Sequence, residues 1–275
     1  MGAGILHVVA TPLGNLEDVT LRALRVLKEV SVIACEDTRR TVKLLSRYGI
    51  RTPMTAFHDH NKARAGVGLL RRLREGESVA LVSDAGTPAI SDPGYEIVRD
   101  AIAEGIPIEV VPGPSALLSA LVVSGLPTDR FTFEGFLPNR EEKRRKALRA
   151  VDRETRTMVF YESPRRLSAF LADASEAFGD RRACIVRELT KVHEEILRGT
   201  LAELAAEIAS RETVLGEITI VVSGASKTIG PPVEEIVRAA LSGVAGSSRD
   251  LAREIAGRTG LSRKEIYGEI LRQRK

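Results

Sequence analysis

The residues best suited to chemistry lie in one uninterrupted run, Ser83-Asp84-Ala85-Gly86-Thr87-Pro88-Ala89-Ile90-Ser91-Asp92-Pro93-Gly94. It contains neither Gly-Lys-Ser/Thr nor Gly-x-Gly-x-x-Gly, so it is not a phosphate cradle of the P-loop or dinucleotide kind. Its small residues allow a ligand close to the backbone. Its carboxylates, Asp84 and Asp92, suit a ligand bearing positive charge and hydroxyl donors. Asp92 has a plain alternative as the cap of the helix that follows, although a long Gly/Pro-rich connection is more often a binding loop. Two shorter runs share the character: Ala10–Asp18, with Asp18 or Thr20 to cap a helix, and Pro112–Ala116.

These loops need strands before them and helices after them, and the sequence supplies both. Apolar or β-branched runs at Ile5–Ala10, Ser31–Cys35, Ser78–Ser83, Ile106–Val111, Phe131–Phe136, Thr157–Tyr161, Arg182–Arg187 and Ile218–Ser223 alternate with segments of helical period. That alternation predicts an α/β architecture, with the three loops at strand carboxyl ends, where open sheets bind ligands. Helices are expected at Leu21–Glu29, Thr41–Tyr48, Ala65–Arg74, Gly94–Glu104, Ser115–Ser124, Arg140–Val151, Arg165–Phe178 and Leu201–Ser210, the third burying Val67, Leu69, Leu70 and Leu73. Breaks at Val111–Pro114 and near Ile229–Pro232 divide the chain into residues 1–113, 114–228 and 229–275.

The chain has 275 residues, 41 Lys plus Arg against 37 Asp plus Glu. Residues 246–275 hold eight of the basic and four of the acidic side chains, so residues 1–245 balance at 33 against 33. The excess therefore sits on a helical tail resembling a helix-turn-helix, with Ser247 and Ser262 as caps and Gly260 at the turn. A small solvated bundle is its bland reading; a phosphate-contacting surface through Arg249, Arg253, Arg263 and Lys264 is the sharper one. Residues 140–156 carry a second surplus, eight basic against four acidic, which a solvated helix face explains about as well. Cys35 and Cys184 and the scattered histidines support neither a disulfide framework nor a metal site. No run is long and apolar enough to span a bilayer, and no leader is evident, so a cytoplasmic protein is expected.

The runs Val9–Leu16, Cys35-Glu36-Asp37-Thr38-Arg39, Val82–Gly94, Val111–Ala116, Phe160–Arg166 and Arg187–Glu195 closely resemble those of the ribosomal RNA small-subunit enzymes among the tetrapyrrole methylase-like (class III) S-adenosylmethionine-dependent methyltransferases. The resemblance runs in order over about residues 5–223. It implies two α/β domains with the cofactor, S-adenosylmethionine, folded in the cleft between them, a homodimer, and 2′-O-methylation of a cytidine in the decoding region of 16S ribosomal RNA. The substrate would be that RNA or the small ribosomal subunit. Residue by residue it places Pro12 on the first cofactor loop, Ser83, Asp84, Ala85, Gly86 and Pro88 on the second, then Ser115 and Ala116, with Tyr161 and Leu189 from the second domain.

Methyl transfer to a ribose hydroxyl requires alignment and a fate for one proton. Asp37, Glu188 and Lys191 are the expected helpers, although Asp37 could be a helix cap and Glu188 and Lys191 have the spacing of an ion pair on a helix face. Arg39, Arg40, Arg165 and Arg166 are best placed for phosphates. With 4% aromatic residues and no Trp, RNA recognition should rest on phosphate contacts and shape. Two other functions compete. Tetrapyrrole C-methylation in the same fold leaves the basic tail without a purpose, and an effector-sensing DNA-binding regulator has no use for three specialised cofactor loops.

Overall fold

The structure is a computed structural model describing residues 3–226, 233–241, 247–259 and 262–274. The first part of the chain runs β1 (Leu6–Val9), α1 (Leu21–Glu29), β2 (Val32–Cys35), α2 (Thr38–Arg47), β3 (Met54–Ala56), α3 (Lys62–Arg74), β4 (Val79–Val82), α4 (Tyr95–Ala103) and β5 (Ile108–Val111). Its five strands form a wholly parallel sheet in the order β3-β2-β4-β1-β5. Every residue of β2 and β4 is buried. Alternating side chains send Ile33, Cys35, Ala80 and Val82 toward α1 and α2, and Val32, Ala34, Val79 and Leu81 toward α3 and α4. All five strand carboxyl ends consequently lie along one edge, and the loops after β1, β4 and β5 leave from it.

Residues 112–115 lead into α5 (Ala116–Ser124), which packs on the second sheet through Ala120 and Leu121. Then follow β6 (Phe131–Phe136), α6 (Glu141–Ala150), β7 (Thr157–Glu162), α7 (Leu167–Phe178), β8 (Arg182–Arg187), β9 (Glu195–Thr200), α8 (Leu201–Ala209) and β10 (Ile218–Val222). The sheet order is β6-β7-β10-β8-β9, with β10 antiparallel to both β7 and β8. Met158, Phe160, Ile185, Ile220 and Val222 face α6, α7 and α8 across the larger core. Cys184 lies inside β8 and is buried.

Both sheets belong to one compact unit, Met1–Ala225, and Ser226–Lys275 forms another. In the latter, α9 (Val233–Leu241), α10 (Ser248–Thr259) and α11 (Arg263–Gln273) bury Val237, Leu251, Ala252, Ile255, Ile266 and Ile270 against one another. Ser247 caps α10 reciprocally with Asp250. Ser262 occupies the matching position before α11 but makes no side-chain cap bond. The expected break near Ile229–Pro232 and the turn at Gly260 lie outside the described residues. No helix among the described residues is long and apolar enough to cross a membrane.

The predicted elements are present with small shifts at their ends, and three details differ. Val67 is 66% exposed, because α3 begins at Lys62 and turns Gly66, Leu69, Leu70 and Leu73 inward instead. Strands β3 and β9 are additional: β3 has only three residues, and β9 (Glu-Ile-Leu-Arg-Gly-Thr) has too little apolar character to signal itself.

Candidate functional site: a cleft between two sheets

The carboxyl edge of the parallel sheet opens into a cavity of about 370 Å³, walled on its other side by residues of the second sheet. The first wall comprises Leu13, Glu36, Arg40, Asp84–Thr87, Ile90–Asp92, Ser115 and Ala116; the second includes Phe136, Tyr161–Pro164, Val186, Leu189 and Gly216–Thr219. Of the ten predicted cofactor residues, Asp84, Ala85, Gly86, Ser115, Ala116, Tyr161 and Leu189 meet at this cavity. The other three are buried and outside its lining. Ser83 is 3% exposed and directs its hydroxyl to the carbonyls of Ala85 and Gly86. Pro12 follows Thr11, whose backbone pairs with that of Gly86, and Pro88 lies within the buried part of the long loop.

Local geometry explains why these residue types stand here. Gly86 has φ +80, a backbone conformation strained for any residue with a side chain, and a Cβ built on it would crowd Leu13 Cδ2 at 3.2 Å and touch the Pro114 carbonyl at 3.7 Å, where the three loops converge. Ser115 caps α5 by accepting from Leu118 N, bringing the positive end of that helix to the wall. Asp92 does not cap α4; Gly94 occupies that position without a side-chain bond. Thr20, rather than Asp18, caps α1. Four residues other than glycine have positive φ among the described ones, Ala89 and Ser91 in the long loop and Glu188 and Thr190 in the loop facing it. Strain of this kind concentrates where a site is held in shape by its surroundings.

The site is acidic. Asp84 accepts from Asp37 N at 2.9 Å and lies 3.5 Å from Arg40, which also reaches Glu217 of the other wall at 3.4 Å. Burial, with Glu36 and Asp84 nearby, pushes the Asp92 carboxyl up to about 7, and burial followed by Asp84 raises Glu36. Burial likewise raises the Tyr161 hydroxyl to about 12. Glu162 is 2% exposed; its Oε1 accepts from Ser163 N at 2.6 Å and meets Arg166 at 2.5 Å, whereas its buried Oε2 has no hydrogen-bond partner among the described residues. The walls also touch directly: Asn15 N donates to Thr190 Oγ1 at 3.1 Å, and Gly14 lies against the Lys191 side chain.

The predicted helpers stand beside the cavity, outside its lining. Asp37 caps α2, and its hydrogen bond from the Arg39 side chain holds its carboxyl down at about 2. Glu188 and Lys191 pair at 2.9 Å as foreseen, but in a turn between β8 and β9 and not on a helix. Against the upward effect of burial, Lys191 and Glu217 N lower the Glu188 pKa. Against the downward effect of burial, Glu188 and Glu217 raise that of Lys191. All three thus keep fixed charges. Of the four arginines assigned to phosphates, Arg40 lines the cavity and Arg39 and Arg165 are exposed. Arg166 is instead a strut, tied to Glu162, Ser163 and the Leu137 carbonyl. The basic run 140–156 is partly neutralised, with Arg144, Arg145 and Arg149 paired to Asp173 and Glu176 of α7. In the second unit Arg249, Arg253, Arg263 and Lys264 are all exposed.

Several wall residues were not foreseen. Gly216–Thr219 precede or begin β10, whose antiparallel course puts its amino end beside the carboxyl ends of β7 and β8. A search confined to strand carboxyl ends passes over them. Glu36 belongs to the Cys35–Arg39 run, in which chemistry was expected only of its neighbour Asp37.

The family profile of tetrapyrrole (corrin/porphyrin) methylases matches residues 6–205, the span that builds most of both walls. A ribosomal RNA small subunit methyltransferase I from Halalkalibacterium halodurans is 46% identical over 273 residues, covering 96% of this chain and 93% of the relative. The chain belongs to this family of methyltransferases. Another member bearing the same name, from Thermotoga maritima, is 50% identical over 221 residues, 80% of this chain and 99% of that one. Among solved structures, a uroporphyrin-III C-methyltransferase from Thermus thermophilus complexed with S-adenyl homocysteine shares the fold, with a TM-score of 0.57 and 24% identity over 79% of this chain and 96% of that one. The tetrapyrrole methylase fold therefore accounts for the two-sheet body.

Proposed function

We propose that the cleft binds S-adenosylmethionine and transfers its methyl group to the ribose 2′-hydroxyl of a cytidine in the decoding region of 16S ribosomal RNA, presented as RNA or as the small subunit in the cytoplasm. The observation that carries this reading is the convergence of seven family-matched residues from both sheets on one cavity, in a chain 46% identical to a ribosomal RNA small subunit methyltransferase I along nearly its whole length. The donor set fits the cofactor. Leu13, Ile90, Val186 and Leu189 offer apolar walls, Gly86 brings bare backbone to the cavity where a Cβ would crowd Leu13, and Asp84 favours a cationic group of the cofactor.

Bound there, S-adenosylmethionine supplies an electrophilic methyl group. The chain's work is to align the acceptor oxygen with it, and orientation of this sort is worth on the order of 7–11 kcal/mol. Loops cross-tied by Thr11 and Gly86 and backed by Ser83 provide the rigidity alignment needs. Arg39, Arg40 and Arg165 at the rim and the exposed basic side chains of α10 and α11 provide phosphate contacts. A homodimer belongs to the same reading, supported by Leu118 and Val122 of α5 and Val110 of edge strand β5, which are 52%, 73% and 57% exposed.

The test is incubation with labelled S-adenosylmethionine and either small subunits lacking the modification or a porphyrinogen, followed by mapping of the label. Label on a cytidine ribose is expected. Label confined to a porphyrinogen would establish the tetrapyrrole alternative, and absence of any transfer the regulator.

A further inference from the structure

Most carboxylates around the cleft are committed to a cation. Asp37 holds Arg39, Glu162 holds Arg166, Glu188 holds Lys191, and Asp84 and Glu217 share Arg40. Glu36 feels charges from the first sheet's side alone, those of Asp84, Asp59, Arg40 and His58. Asp92 differs from all of these. It lines the cavity, has no ion pair among the described residues, and follows Ser91, whose Oγ would lie 3.3 Å from a Cβ built on Gly135 of β6, so its loop packs directly against the opposite sheet, within reach of the charges of Glu217 and Tyr161. Ala89 and Ser91, both at positive φ, fix the backbone that carries it.

Building on the methyl-transfer reading above, we infer that Asp92 is the proton acceptor for the ribose hydroxyl and touches the 2′-oxygen in the reacting complex. In the step, a lone pair of that oxygen forms the new O–CH3 bond while the S–CH3 bond breaks, its electron pair remaining on sulfur. The hydroxyl proton passes to an Asp92 oxygen, and the sulfonium becomes a neutral thioether. A base works best when its pKa lies near the operating pH. Asp92 meets this condition through burial and the charges of Glu36, Asp84 and Glu217, offset by the Ser83 hydroxyl. Tyr161 is the remaining titratable group facing it, and Arg40 acts through its pairs with Asp84 and Glu217. Asp37, held at about 2, is far too weak a base for the task.

The experiment compares wild type, Asp92→Asn and Asp92→Glu in the full-length protein. It measures single-turnover methyl transfer to unmodified small subunits across pH about 5.5–9, S-adenosylhomocysteine and RNA affinity, and aspartate carboxyl titration by 13C NMR. The inference expects Asp92→Asn to slow transfer by about 10²–10⁴-fold, with both affinities held within about twofold. The wild-type rate should rise through pH about 7 together with a titrating carboxyl signal, both absent in Asp92→Asn, and Asp92→Glu should retain a pH-dependent rate. A variant as fast as wild type, a loss of S-adenosylhomocysteine binding in Asp92→Asn, or no carboxyl titrating near neutrality would each overturn it. A wild type that puts no methyl on any ribose overturns the functional reading itself, a result distinct from an active wild type matched by Asp92→Asn.

Discussion

Thr11 and Gly86 exchange two backbone hydrogen bonds, Thr11 N to the Gly86 carbonyl at 2.9 Å and Gly86 N to the Thr11 carbonyl at 3.0 Å. This one bridge joins the loop after β1 to the loop after β4, and the Thr11 hydroxyl reinforces it by donating to the Ser83 carbonyl at 3.1 Å. Gly86→Val puts a β-branched residue at φ +80 and a Cβ 3.2 Å from Leu13. Strain of about 1–3 kcal/mol is expected to fall on this junction. Calorimetric titration should show S-adenosylhomocysteine binding weakened by at least tenfold, while the circular dichroism of the fold is kept.

Arg144 and Asp173 form a buried ion pair at 2.7 Å, with side chains 6% and 4% exposed, and Arg145 shares the same carboxylate. Asp173→Ala strands the Arg144 guanidinium between α6 and α7. Urea unfolding should report a loss of about 3–5 kcal/mol. A loss below about 1 kcal/mol would mean that Arg144 escapes to solvent.

Asp92 has a folded-state pKa of about 7 against an ordinary value of 3.8, so folding favours its neutral form. Its ionisation destabilises the fold as pH rises from about 4 to 7, and the penalty is complete above that. Asp92→Asn should therefore melt higher than wild type at pH 8 and at nearly the same temperature at pH 4. In a chain of this size each 1 kcal/mol recovered raises Tm by about 2–4 °C. Equal melting temperatures at pH 8 would refute the assignment.

Alanine at Arg249, Arg253, Arg263 and Lys264 together removes exposed charge from α10 and α11 and leaves their buried apolar packing in place. RNA affinity should fall and the slope of log K against log salt should flatten by roughly one unit for each phosphate no longer neutralised, with S-adenosylhomocysteine affinity unchanged. An unaltered slope would reduce the tail to a solubility feature.

The α/β alternation and the long loop were legible because strand–loop–helix units are local: β4, residues 83–94 and α4 are consecutive, and their turn residues announce them. Glu217 was not legible, because only the antiparallel register of β10 with β7 and β8 carries it to the cleft. The same holds for electrostatics. Glu36 is far in sequence from Asp84 and Asp92, and the burial and the Glu36 charge that lift Asp92 exist only after β2 and β4 pair. Asp37 attracted attention through its motif, yet the adjacent Arg39 fixes its charge.

Gly14 is pressed so closely against Lys191 that a Cβ there would lie 2.1 Å from the lysine Cγ, and that lysine anchors Glu188 at 2.9 Å and Glu217 at 3.2 Å. A side chain gained at position 14 displaces the cation that neutralises two carboxylates on the opposite wall. The two positions are thus bound by a shared evolutionary constraint: lineages that replace this glycine should carry a shorter residue at position 191 and compensate the missing charge elsewhere on the wall.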